Sequence, residues 1–332
     1  MSTLIPENEL FSVNDSSKVQ SYMNCPRRYF FEHVIGWRTD EPSIHLEFGT
    51  AVHLAMEILH TKGYEAESLS DAFDVFFAHY RKYFGEELDD ANAPKNPANF
   101  MRSLPLYAKK YRDIDAEDEV LHVEVAGSVA VGPNRLLYFK SDTIIKTKRG
   151  IIAREHKTGT RFHPLWAAQW RKKMQAAAYN HVLYCLFLGK DGVTEDDIAG
   201  VEINGIFLRN EPRLKRDGQP YANQQDTEFH RVPVRKNLPQ MEAWVSEVNH
   251  WFDLIERDFS KLADAKEEDQ VLDAFHGNTE SCTKYGVCPF IDQCCSWPNP
   301  LQRMHELPAG FKSELWDPRD HSEDNVKEVI EL

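Results

Sequence analysis

Apolar residues recur along this chain with two different periods. Between residues 47 and 61, Ala51, Leu54, Ala55, Ile58 and Leu59 fall three and four apart, which predicts a helix with one apolar face. Similar spacing predicts helices near 69–84, 98–113, 165–188 and 238–259. Asp15 or Ser16 is placed to cap a first helix running toward Phe31, with Pro26 as a break or kink inside it. From Glu119 the pattern changes. Residues 119–131, 135–147 and 150–156 are rich in Val, Ile, Leu and Tyr, with turn signals at Gly132-Pro133-Asn134 and Lys148-Arg149-Gly150, so a three-strand meander is expected. A fourth strand is expected at 200–209. Residues 89–97 read as a polar linker, and 277–300 are rich in Cys, Gly and Pro without a period. The order of elements predicts an α/β (α+β) fold, with a mostly antiparallel or mixed central sheet flanked by helices.

Composition narrows the class. At 332 residues, 42% hydrophobic and 11% aromatic, the chain has enough apolar material for a sizeable core. No run of about 18 apolar residues predicts a membrane span. The first residues lack the basic and apolar segments of a secretory signal, so a cytoplasmic protein is expected. The net charge of −14 argues against nucleic acid as a partner, but the charge is unevenly placed. Residues 135–175 hold eleven Lys and Arg against Asp142 and Glu155. The segment from Glu314 to Leu332 holds seven acids against Arg319 and Lys327 and reads as a mobile, solvated tail.

The third strand ends on Glu155, His156 and Lys157, an unusual end for a segment entering a core. If strands two and three form a hairpin, a turn at Lys148-Arg149 sets Asp142 opposite Glu155, and a turn at Arg149-Gly150 sets it opposite Lys157. Side chains alternate faces with period two, so either register gathers Asp142, Glu155 and Lys157 on one face. Two buried carboxylates repel unless a cation lies between them. A hard, oxygen-lined site suits Mg²⁺ or Mn²⁺. Lys157 is then placed to orient a water or to neutralise charge on a phosphoryl group. His156 points the other way, so only its backbone carbonyl is a candidate ligand. On the following helix Gln175 and Tyr179 are four apart and share a face. His53 lies on the helix at 47–61.

His53, Asp142, Glu155-x-Lys157 and the Gln175–Tyr179 pair, in this order, resemble the RecB-like branch of the PD-(D/E)XK nuclease superfamily. The resemblance covers about residues 20–295. It implies a restriction-endonuclease-like core, in which His53, Asp142 and Glu155 hold the metal, Lys157 is catalytic, and Gln175 and Tyr179 help place the DNA strand. Ser141 stands where a proline precedes the aspartate in the motif. The division expected is a helical region at 1–118 carrying Cys25 and His53, the nuclease core at 119–260, a Cys-rich region at 261–300 and an acidic tail at 301–332.

Four of the six cysteines, Cys282, Cys288, Cys294 and Cys295, lie within fourteen residues, and Cys25 lies far upstream before Pro26. Three clustered thiolates and a distant one suit a [4Fe–4S] cluster, with four-Cys zinc as the alternative. Cys185 reads as a core residue. The sequence is similar here to iron–sulfur nucleases of the same branch, including AddB-type and CRISPR adaptation nucleases. That similarity implies Cys25, Cys282, Cys288 and Cys294 as ligands, forming a staple between the two ends of the chain.

Arg27, Arg28, Arg161, Arg171, Lys172 and Lys173 are the expected phosphate contacts. Tyr29, Phe30, Phe31, Trp37, Trp166 and Trp170 are candidates for stacking on unpaired bases. The expected function is a metal-dependent DNA nuclease, an exonuclease on ends or single strands, serving recombination, repair or replication. A helicase or recombination partner fits, because the chain has no GxxxxGK[ST] motif of its own. The rival reading is a nuclease-fold subunit that binds DNA or a partner without cutting.

Overall fold

The computed structural model describes residues 5–209, 215–219, 227–284, 286–320, 326 and 328–331. A two-residue strand, β1 (Asn14–Asp15), leads into α1 (Ser16–Asn24). The Asp15 carboxylate caps α1, accepting from the Ser17 and Lys18 N–H groups at 3.1 and 2.8 Å. α1 stops at Cys25, which is extended (φ −162°, ψ 107°) because a residue before proline disfavours the helical region. Pro26 opens a new short helix, α2 (Pro26–Tyr29), which runs into a π-helical turn at Phe30–Val34. A short strand, β2 (Trp37–Thr39), precedes three helices, α3 (Ile44–Lys62), α4 (Ala66–Tyr83) and α5 (Pro97–Asp115).

The meander follows as β3 (Glu119–Gly132), β4 (Arg135–Thr147) and β5 (Gly150–Gly159). The expected helix at 165–188 is two helices, α6 (Pro164–Gln169) and α7 (Met174–Phe187). Residues 170–173 break it. Trp166 turns onto Phe207 (ring centroids 4.9 Å apart) and Trp170 packs edge-on to Trp166, so tertiary contacts override a locally intact helical period. β6 (Ile198–Leu208) and β7 (Thr227–Val234) come next, then α8 (Leu238–Asp264), α9 (Ile291–Ser296), β8 (Phe311–Ser313) and β9 (Glu328–Glu331).

The main sheet runs β7-β6-β5-β4-β3-β9, with β1 beside β4. The β3–β4, β4–β5 and β6–β7 pairs are antiparallel; β5–β6, β3–β9 and β1–β4 are parallel. Helices α1, α7 and α8 cover one face through a core that includes Val19, Leu183, Ile203 and Val248. Helices α3 to α5 cover the other through Phe48, Ala55, Phe76, Phe100, Ile206 and Phe229. A third apolar cluster joins the two ends of the chain. Tyr29, Phe30, Phe31 and Trp37 pack there with Phe275, Phe290 and Leu301.

Two expectations change here. The segment from Glu314 to Leu332 is expected to be mobile and solvated, yet its strand β9 pairs with Val125–Ser128 of β3. Residues 321–325, 327 and 332 of that tail lie outside the described residues. Gly127 makes the β9 contact possible, since a Cβ there would stand 1.8 Å from the Ile330 carbonyl oxygen. The stacking candidates Tyr29, Phe30, Phe31 and Trp37 are buried in the third cluster and Trp170 is buried in the main core, so these five are not open to bases. Among the described residues, no helix is long and apolar enough to cross a membrane.

Candidate active site

The β4–β5 ladder runs from Thr147↔Gly150 to Thr143↔Arg154, which fixes the turn at Lys148-Arg149 and sets Asp142 level with Glu155. Beyond that point the strands part. β5 continues beside β6, while β4 takes up β1 at Leu137 and Tyr138. Asp142 and Glu155 therefore sit at a fork in the sheet. The His156 N–H, freed from the ladder, donates to Asp142 Oδ2 at 2.8 Å.

A cleft of 530 Å³ opens over this fork, and His53, Glu124, Asp142, Glu155, His156, Lys157, Gln175 and Tyr179 line it. His53 comes from α3, with Nδ1 3.0 Å from Asp142 Oδ1. Lys157 Nζ lies 2.5 Å from Glu155 Oε1, and Gln175 Nε2 donates to the same oxygen at 2.9 Å. Gln175 also reaches the Tyr179 hydroxyl at 3.1 Å, and that hydroxyl donates to the Lys140 carbonyl. Lys157 Nζ stands 6.0 Å from the Trp170 ring centroid, within cation–π reach.

The electrostatics divide the carboxylates. Burial alone would raise the Asp142 pKa, but the His53, His156 and Lys157 sides outweigh it and hold Asp142 well below the usual carboxylate range. Glu155 is pushed upward by burial and then by Asp142, against the pull of Lys157. Lys157 is held charged, because Glu155 and Asp142 more than offset its burial. Glu155 is 2% exposed and its Oε2 has no hydrogen-bond partner. An orphaned carboxylate oxygen beside an ionised aspartate fits a divalent cation. Among the described residues, no set of three or more His, Cys, Asp or Glu side chains is already drawn together at metal-binding geometry.

The His156 ring faces away from the carboxylates. Its Nδ1 meets Asn204 Nδ2 at 2.8 Å and its Nε2 meets His60 Nε2 at 3.1 Å, leaving the backbone as the part of the residue that serves the site.

Glu124 was not foreseen. It falls opposite Asp142 on β3, between the pairs Val123↔Thr143 and Val125↔Ser141. Its φ of +48° is a left-handed strain for a non-glycine residue. Burial and then Asp142 push its carboxyl up to about 8, and Lys140 Nζ lies 3.4 Å away. The signal available in the sequence was one acid among buried Val and Ala positions of a strand.

A second cleft, of 750 Å³, shares Ser16, Ser17, Leu46 and Gln175 with the first, and Arg28, Trp170, Lys173 and Trp316 also line it. Arg28 is tied to Glu32 at 2.8 Å. Arg27, expected to meet DNA, is instead 8% exposed; burial lowers its pKa, Cys294 and Cys25 oppose that, and Nη1 has no partner. It follows Cys25 into the first turn of α2 and so turns inward to the Cys-rich segment. Arg161 is exposed and lines neither cleft, and Arg171 and Lys172 line a third.

Cys25 is buried, and it accepts from the Asn278 N–H at 3.3 Å, which brings the Cys-rich segment to α1. Burial raises the Cys288 and Cys294 thiols, and Cys25 and Cys282 raise each of them further, which places these four near one another. Cys295 adds to the effect on Cys294. Cys185 packs at the edge of the main core, 3.6 Å from His181 Nε2.

A comparison with curated proteins returns no match. The family model of the PD-(D/E)XK nuclease superfamily matches residues 16–295, a span that takes in Cys25, strands β3 to β7 and the Cys-rich segment. The chain belongs to the PD-(D/E)XK nuclease superfamily, a membership that points to a metal-dependent nuclease.

Proposed function

We propose that the protein hydrolyses DNA phosphodiester bonds as an exonuclease acting on single strands or ends, in recombination, repair or replication. The observation that carries this reading is the orphaned, buried Glu155 Oε2 beside ionised Asp142, with the charged Lys157 alongside. Asp142, Glu155, His53 and the His156 carbonyl are the groups to hold Mg²⁺ or Mn²⁺. When bound, that ion supplies a nucleophilic water at neutral pH and draws charge from the scissile phosphate.

The chain's own residues do the rest. Lys157, kept protonated by Glu155 and Asp142, neutralises charge that grows on the phosphoryl oxygens. Gln175 fixes the Glu155 carboxylate, and Tyr179 anchors Gln175 to the β4 backbone. The strand register keeps Asp142 and Glu155 level with each other on neighbouring strands. The adjoining cleft, with Lys173 on its wall, suits an unpaired strand approaching the site.

Within the same proposal, Cys25, Cys282, Cys288 and Cys294 bind a [4Fe–4S] cluster, with zinc as the competing occupant. Cys25 and Cys282 both act on the Cys288 and Cys294 thiols, and the Cys288 N–H donates to the Cys282 carbonyl at 2.8 Å, which supports the set.

The decisive experiment follows end-labelled single- and double-stranded DNA with Mg²⁺ and with Mn²⁺, for the wild type and Lys157→Ala. We expect stepwise shortening by the wild type and a rate about 10²–10⁴-fold lower for the variant. A wild type that cuts neither DNA form with either metal overturns the proposal.

A further inference from the structure

The turn between α6 and α7 faces two ways. Trp170 and Lys173 line the 750 Å³ cleft beside the catalytic fork, whereas Arg171 and Lys172 line a separate cleft of 430 Å³. The opposite wall of that cleft comes from the connection after β7, with Arg235 and Lys236, and from the first turns of α8, with Trp244 and Glu247. Four cations thus meet one carboxylate, on a chain whose net charge is −14. Burial lowers the Lys236 pKa, Lys172 lowers it further, and Glu247 opposes the effect, so the two ammonium groups stand close to each other. Arg235 reaches the Glu195 carbonyl at 2.9 Å and Asp196 at 3.4 Å, and it also acts on the Tyr184 hydroxyl. Trp244 is 4% exposed, and its indole N–H has no hydrogen-bond partner. A lining that crowds like charges and leaves a buried donor unpaired is complementary to an anion with several oxygen acceptors.

We propose that this cleft is a phosphate-binding exosite that holds the DNA backbone outside the catalytic fork, with Arg171, Lys172, Arg235 and Lys236 as the phosphate contacts. It rests on the nuclease reading and adds a second point of contact for the substrate. Register gives the separation. Val234 pairs with Val201, and Val201 with Ala153, four residues before Lys157 and two strands across. Four residues span roughly 13 Å and two strand spacings roughly 10 Å, a direct distance of about 16 Å. At about 3.4 Å per phosphate along a duplex strand, the exosite lies about five phosphates from the scissile bond. A trinucleotide cannot bridge the two, and a 20-mer can.

The test compares wild type, Lys172→Ala/Lys236→Ala and Lys172→Arg/Lys236→Arg. Affinity for a 20-mer is measured with Ca²⁺ in place of the catalytic metal over a range of salt, and cleavage of the 20-mer and of a trinucleotide is measured with Mg²⁺. The alanine pair is expected to flatten the slope of log affinity against log salt by about 1.4 on a single strand, or about 1.8 on a duplex. It raises KM for the 20-mer about tenfold at unchanged kcat. Trinucleotide cleavage stays at the wild-type rate, and the arginine pair restores 20-mer binding. An unchanged salt slope, or an equal loss on the trinucleotide, overturns the exosite. A wild type that binds DNA but does not cut it overturns the nuclease reading alone, and the salt slope still decides the exosite. A wild type that binds no DNA overturns both.

Discussion

Glu124, Asp142 and Glu155 stand in one row across three strands, each with a different charge preference. Glu124 carries the clearest stability consequence. Its carboxyl is raised in the fold from an ordinary 4.5 to about 8, so the native state holds a proton that the unfolded chain has released across that window. Stability from this group therefore falls as pH rises from about 4.5 toward 8. In EDTA, Glu124→Gln should be about 1 kcal/mol or more stabler than the wild type at pH 8, and equal to it below pH 4.5, by urea unfolding. Added Mn²⁺ should raise the wild-type melting temperature and leave that of Asp142→Asn unmoved, because a ligand stabilises only the state that binds it. Equal shifts in both proteins would remove Asp142 from the ligand set. That Asp142, Glu155 and Lys157 share one face was readable from period-two alternation, and that Gln175 and Tyr179 share one was readable from spacing on a helix; that His53 and this pair meet the acids was implied by the resemblance to the nuclease superfamily. Glu124 was not readable. Register shifts in β3 at Val120/His122 and Ala130/Gly132 separate its position from anything the turn at 133–134 dictates. Arg27 was misplaced because a sequence gives its charge and not the direction of the turn after Pro26.

At the level of elements, the four longest strands and most of the helices follow from periodicity, and the connections do not. The break at 170–173 answers to Trp166 and Trp170 finding partners on the sheet, which no local pattern contains. β7 went unseen because Thr227, Glu228, His230 and Arg231 dilute its apolar positions. β9 went unseen because its four residues sit among acids. This last strand covers the edge of β3, and an uncovered edge is a template for pairing with another chain. A chain ending at Asp320 should keep its fold, melt lower and self-associate with rising concentration in analytical ultracentrifugation; a monomer at all concentrations would show that β9 does not guard that edge. The π-helical turn gives a pH effect of its own. Burial, then Lys18, Arg38 and Arg28, lower His33 from 6.5 to about 3. The unfolded chain takes up this proton first, so stability is lost as pH falls from about 6.5 toward 3. Between pH 6.5 and 5 the loss is up to about 2 kcal/mol, and His33→Phe should lessen it in urea titrations at the two pH values.

For the whole molecule, charge and connectivity matter most. The surface is acidic overall, while cations gather where the α6–α7 turn meets the clefts, which concentrates attraction for a polyanion at the working face. The proposed cluster would close a loop between residue 25 and residues 282–294, on top of the aromatic packing that already joins these parts. Cys294→Ser should lose the brown iron–sulfur chromophore and become sensitive to limited proteolysis within 276–297, while β3 to β7 stay resistant. An unaltered visible spectrum would exclude Cys294 as a ligand.

The joining of the two ends also sets a clock. Phe275 and Phe290 are made about 250 residues after Phe30 and Phe31. At about 5–20 residues per second that interval is roughly 12 to 50 s. For that time a run of large apolar side chains lacks its partners from the Cys-rich segment, although Phe31 can stack on Trp37 and the sheet between can already form. The growing chain is thus most exposed to misassociation at its first helices, and its dependence on chaperones should be greatest until the Cys-rich segment emerges.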